Sequence, residues 1–128
     1  MKKQKALFIG VILIVIALLA ALIMYKAQAN EGYKNIIVQV EHLDGSVSEH
    51  SYRTKAEYLR EVLENVNLIQ GSESVYGLWV ETVDGETADE SKQQWWGYTV
   101  NGEFANYGVD SQIVSDGDVY VFTLNEGY

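Results

Sequence analysis

Four Asx-Gly pairs, Asp44-Gly45, Asp84-Gly85, Asn101-Gly102 and Asp116-Gly117, cut the C-terminal part of this chain into short segments. A tight hairpin needs positive φ at its centre, which glycine adopts freely and Asp or Asn tolerates. The chain contains no proline, so glycine and Asx residues must make every turn. This punctuation predicts antiparallel strand pairs. "NIIVQVEHLDGSVSEHSYRT" reads as a first hairpin, with Ile36, Val38 and Val40 alternating along it; this register puts His42 opposite Val47 and His50 opposite Gln39. "YGLWVETVDGETA" reads as a second, turning at Asp84-Gly85. "WWGYTVNGEFANYG" turns at Asn101-Gly102, the strongest short hairpin signal in the chain. "QIVSDGDVYVFTL" turns at Ser115 to Asp118 and ends in a strand.

Between the first two hairpins lies "TKAEYLREVLENVNLIQG". Thr54 and Glu57 have capping-box spacing, and Tyr58, Leu59, Val62, Leu63 and Val66 form one apolar stripe at helical period. Gly71 closes the segment. One amphipathic helix covers one face of a sheet, so the order of elements predicts an α+β fold with the helix packed across a mixed sheet. A β-grasp-like arrangement fits this order; an open sandwich with the helix at one end is the alternative.

The N-terminus differs in kind. Ala6 to Tyr25 is uncharged over twenty residues and follows Lys2, Lys3 and Lys5. As a helix it would span roughly 30 Å, the thickness of a bilayer core, with its N-terminus inside. Its length favours a retained transmembrane anchor over a secretory signal, whose apolar region runs about 7–15 residues. Ala27-Gln28-Ala29 nonetheless has the small residues of a cleavage site. The expected organisation is therefore a signal or anchor over 1–29, a linker over 30–34 and one domain over 35–128. Both readings place the domain outside the membrane, either single-pass anchored or secreted after cleavage at Ala29.

The four basic residues up to Lys26 lie in this leader and no acid precedes Glu31, which leaves five basic against 18 acidic residues, a formal charge of −13. Polyphosphate repels such a surface, so nucleic acid is excluded as a partner. There is no cysteine, which excludes disulfides, thiolate metal sites and a lipid anchor on cysteine.

"WGYTVNG" (Trp96 to Gly102) followed by "YGVDSQIVSDGDVYVFTLN" resembles the pattern of the bacterial transcobalamin-like C-terminal domain family, a domain of unknown function related to the small domain of cobalamin carriers. Trp96, Tyr98, Val100, Asn101 and Gly102 match its first part, and Gly108, Asp116, Gly117 and Asp118 its second. The resemblance covers most of 35–125. It implies a β-grasp-like extracytoplasmic domain that helps to capture or take up cobalamin or another corrinoid, with a membrane transporter component as partner. No covalently bound cofactor is implied; cobalamin would be the ligand. The sequence departs from the family in lacking both a lipobox cysteine and the large helical domain of the animal carriers.

Side chains of a strand alternate faces, so adjacent Trp95 and Trp96 cannot share one core. Trp96, Tyr98 and Val100 form the face that suits a core, and Trp95 lies on the other. The candidate ligand-binding residues are Trp95, Trp79, Tyr98, Phe104 and Tyr107, aromatics able to meet a flat apolar guest. The competing reading packs Trp95 under a loop or against the sheet edge. Asp116-Gly117-Asp118 reads as a turn, since calcium needs about six to eight oxygen ligands. Glu86, Asp89 and Glu90 read as a solvated acidic loop. His42 and His50 would need a third ligand from elsewhere to hold zinc, so no metal site is expected. Catalytic signatures are absent, which argues for a binding protein rather than an enzyme. The alternative function is a structural or adhesive surface module that recognises protein or polysaccharide.

Overall fold

The computed structural model describes residues 16–21 and 32–128. The chain divides into two units, Met1–Tyr33 and Lys34–Tyr128. Of the first, residues 16–21 are helical, with Ile16, Leu18 and Leu19 exposed. No helix among the described residues is long and apolar enough to cross a membrane. Apart from 16–21, the span expected over Ala6 to Tyr25 and the cleavage site at Ala27-Gln28-Ala29 lie outside the described residues.

The second unit is a mixed α+β domain. In chain order it contains β1 (Lys34–Glu41), β2 (Val47–Thr54), α1 (Leu59–Asn65), β3 (Ile69–Ser74), β4 (Gly77–Val83) and β5 (Glu86–Thr87). A 3-10 turn over Glu90–Lys92 leads to β6 (Gln94–Val100), β7 (Glu103–Phe104) and β8 (Val119–Glu126). One sheet has the order β2-β1-β8-β6-β7, with β1 and β8 parallel at its centre and the other pairs antiparallel. A second sheet, β3-β4-β5, is antiparallel throughout.

Period-two alternation builds the core. Ile36, Val38 and Val40 of β1 are buried, as are Tyr120, Phe122 and Leu124 of β8. Leu59, Val62 and Leu63 of α1 pack over this face together with Ile69 and Val83 of the second sheet. Two of the four Asx-Gly pairs form the tight turns that the sequence predicts, whereas at Asp44-Gly45 and Asp116-Gly117 only the glycine is left-handed (φ 89° and 88°). Asp84 and Gly85 have φ of 49° and 80°, and Asn101 and Gly102 have 52° and 87°, the double left-handed geometry of a two-residue hairpin.

The helix is shorter than its pattern suggests, and the capping box does not form. Its N-cap is Tyr58, which makes no side-chain cap. Thr54 ends β2 instead, and its hydroxyl accepts a hydrogen bond from Ala56 N at 3.0 Å. A distant loop satisfies the first helical amides: Leu59 N donates to Gln112 O (2.9 Å) and Arg60 N to Val109 O (3.0 Å). At the other end, Asn67 turns left-handed (φ 56°) and Leu68 N bonds back to Leu63 O, so Gly71 lies in β3 rather than at the helix end.

The one expected sheet is in fact two. Gln70 and Gly71 carry a bulge in the β3–β4 register, where any Cβ on Gly71 would collide with the carbonyl of Trp79. The first hairpin is also offset by one residue from the sequence reading. His50 pairs with Val38 and Glu41 with Val47, which turns His50 and Ser48 to the side of β2 that faces the core.

Candidate functional site

The start of α1 and the loop after β7 close on each other. Val114 N donates to Glu57 O (2.8 Å), and Tyr58 and Ile113 form an isolated antiparallel bridge. Gly108 O accepts from both Ser111 N and Gln112 N, which folds the loop into a tight turn. Asp110 pins it: one carboxylate oxygen accepts from Leu78 N (2.8 Å), the other from Arg60 (2.6 Å). Burial pushes the Asp110 carboxyl up, but the Leu78 and Arg60 hydrogen bonds outweigh it and hold the group below the ordinary aspartate value. Arg60 also binds Glu73 and Glu64, and these carboxylates together raise its pKa.

Beside this junction runs an open groove of about 610 Å³, lined by Tyr58, Tyr107, Asp110, Ser111, Gln112 and Ile113. That volume lies within the range of small-molecule sites. Tyr58, Tyr107 and Ile113 are all exposed, the last two by more than half. The groove therefore offers two phenol rings and a branched aliphatic surface from Ile113, bordered by a hydroxyl, an amide and a carboxylate.

Of the five aromatics predicted to bind ligand, Tyr107 alone lines this groove. Tyr98 supports it from behind: its ring stacks on Phe122 at 5.0 Å and its hydroxyl donates to Tyr107 O at 2.5 Å. Trp96, Tyr98 and Val100 pack against the core, as alternation predicts. Trp95 takes the other face of β6, where its indole covers Gly97 and its N–H donates to Gly127 O (2.8 Å). Trp79 is exposed on β4 and Phe104 on β7. Trp95 and Tyr98, on opposite faces of one strand, do not belong to one patch. Tyr58 entered the sequence reading only as part of a helical stripe, and Ile113 and Asp110 carried no local signal.

Asp116-Gly117-Asp118 is a structural turn. Asp116 accepts from Asn35 N (2.6 Å), and buried Asp118 accepts from Ser115 N, Asn101 Nδ2 and the Tyr120 hydroxyl.

A polar cluster absent from the sequence reading joins the two sheets. His42 Nδ1 lies 2.8 Å from Glu86 Oε1, and its Nε2 lies 3.0 Å from Asp84 Oδ2. Ser48 donates to the same Asp84 oxygen (2.6 Å), and His50 Nε2 lies 3.5 Å from the other. The Glu86 hydrogen bond raises the His42 pKa; burial opposes it and Asp84 adds to it. Glu86, expected in a solvated loop, is tied to the cluster, and its carbonyl accepts from Trp96 Nε1 (3.1 Å). As the side chains stand, no three His, Asp or Glu among the described residues enclose a metal position.

A two-sheet α+β domain with a lateral aromatic groove is thus the class of structure at hand. The chain belongs to the family described as Domain of unknown function (DUF4430), whose profile matches residues 56–126. No curated protein matches it. A crystal structure of a candidate metal-binding protein from Ruminococcus gnavus ATCC 29149 is 50% identical, with a TM-score of 0.73, covering 74% of this chain and 99% of that one. Haptocorrin in complex with Cbi shares the fold at 15% identity and a TM-score of 0.65, over 75% of this chain. The chain spans 26% of haptocorrin's length.

Proposed function

We propose that this domain binds a planar, corrinoid-class ligand in the groove beside Tyr58, Tyr107 and Ile113. The observation that carries the reading is an open, aromatic-walled groove on a fold shared with a protein crystallised with Cbi. A corrin ring has broad apolar faces and a fringe of amide side chains. The phenol rings and Ile113 suit the faces; Ser111, Gln112 and Asp110 suit the fringe. The groove exposes little apolar surface, so covering it contributes only ~1 kcal/mol before association costs. The chain alone therefore binds weakly. A second protein, such as a transporter component, completes the enclosure.

We read the sheet, with first and last strands parallel at its centre beneath one helix, as β-grasp-like and related to the small domain of cobalamin carriers. The domain acts outside the membrane, anchored or released according to the fate of the leader, and by binding rather than catalysis; the uncharged N-terminal run and the missing catalytic signatures support this.

Calorimetric titration of the full chain with cobinamide tests the ligand. Saturable binding that Tyr107→Ala and Ile113→Asp each weaken about tenfold, and Trp79→Ala leaves unchanged, supports it; no heat at millimolar ligand overturns it. A second reading, metal binding, is favoured by the name of the 50%-identical Ruminococcus gnavus relative.

A further inference from the structure

The metal reading leaves open where an ion would bind. We infer that His42, His50 and Asp84, brought together where the first hairpin meets the β4–β5 turn, form a site for a first-row divalent ion such as Zn²⁺ or Co²⁺. This rests on the metal reading and is independent of the corrinoid groove.

The donor chemistry fits. Two imidazoles and a carboxylate are borderline ligands suited to such ions, with water in the fourth position. Bonds of about 2.0–2.2 Å in a tetrahedron set neighbouring ligand atoms ~3.3 Å apart. His42 Nε2 lies 3.0 Å from Asp84 Oδ2 and His50 Nε2 lies 3.5 Å from Oδ1, so each imidazole stands about one such edge from a different oxygen of the same carboxylate. The ion takes the place of the proton between His42 Nε2 and Asp84, and that proton leaves to solvent.

The surroundings of these ligands are those of a metal centre. A metal-binding histidine donates its remote N–H to a carboxylate, and its carboxylate co-ligand accepts a further hydrogen bond. His42 Nδ1 meets Glu86 and Asp84 accepts from Ser48 in just these roles. His50 supplies a third observation. Its Nε2 is buried and makes no hydrogen bond despite lying near Asp84. A buried ring nitrogen without a partner is costly unless something else takes its proton or lone pair. Its ring is already held, stacked on Tyr52 at 6.0 Å with an interplanar angle of 5°. Since no three donors yet enclose one point, the ion draws His50 and Asp84 together, a movement that the edge position of β2 permits.

Titration of the full chain with Co²⁺, read by the visible bands of tetrahedral cobalt and by calorimetry, tests the site. The expected result is one ion per chain. His50→Ala and Asp84→Asn abolish the bands, Glu86→Gln weakens binding about 10–100-fold, and Tyr107→Ala changes nothing. His50→Gln, which keeps bulk on the strand, gives the same loss and guards against a folding defect; circular dichroism checks each variant. If the wild type binds no Co²⁺, the metal reading itself fails. If it binds and the His50 and Asp84 variants bind equally well, the ion sits elsewhere and the site is refuted.

Discussion

Asp118 sits where the sequence offered a choice between a cation loop and a turn, and its replacement decides between them. The residue is 8% exposed and its carboxylate accepts three hydrogen bonds: from Tyr120 Oη (2.7 Å), Ser115 N (2.9 Å) and Asn101 Nδ2 (2.9 Å). Tyr120 is fully buried, and burial together with the Asp118 hydrogen bond raises the pKa of its phenol, so it remains a donor. Asp118→Ala leaves all three donors unmatched. Hydrogen bonds to a charged acceptor contribute about 1.5–3 kcal/mol each. Water can reach Asn101, so the total cost is about 3–5 kcal/mol. At ~4–8 °C per kcal/mol for a domain of this size, the midpoint falls on the order of 20 °C. Asp118→Asn is milder, at about 1–2 kcal/mol. Its oxygen can serve Ser115 and Tyr120 while its amide opposes Asn101, whose own oxygen is occupied by Val119 N (2.8 Å). Tyr120→Phe removes one donor with its partner's need and costs about 1 kcal/mol. Thermal unfolding followed by circular dichroism reads this order directly. An alanine variant within about 3 °C of wild type, or a wild type whose midpoint rises on adding calcium, would refute the reasoning.

Gly71→Ala drives a Cβ into the Trp79 backbone, whose carbonyl carbon would lie at 2.8 Å, whereas Gly108→Ala meets nothing within 4 Å. The first is expected to cost about 1–3 kcal/mol and the second to fall within ~0.5 kcal/mol, as denaturant midpoints will show. Asp110 carries a depressed carboxyl pKa, so its contribution is present above the unfolded value of about 3.9 and is lost as pH falls through the folded one. The stability gap between wild type and Asp110→Asn should therefore be constant from pH 7 to about pH 5 and close below pH 4 in urea titrations. A gap unchanged at pH 3 would contradict this.

What the sequence disclosed was local. Asp84-Gly85 and Asn101-Gly102 specify their turns through the φ each residue tolerates, and the split of Trp95 from Trp96 follows from the pleat alone. Apart from the register of the first hairpin, the misreadings involve partners far along the chain. The helix begins at Leu59 rather than near Thr54 because its first amides bond Val109 and Gln112. β3, β4 and β5 pair only with one another, and the β3–β4 register carries a bulge where Gly71 approaches Trp79. Tyr58 resembles a core residue by spacing but is extended at the N-cap and borders the groove. His42 and His50 acquire their neighbours from a turn whose Asp84 had been explained already as a turn former. A one-residue error in the hairpin register was enough to hide this, since it turns His50 to the other face of β2.

Mapping amide chemical shifts of the isotope-labelled full chain during titration with cobinamide tests the central claim most directly. The account predicts that the largest shifts fall on residues 107–113 and on Tyr58 and Leu59, with Trp79 and Trp95 little changed. Largest shifts elsewhere, or none at saturating ligand, would contradict it.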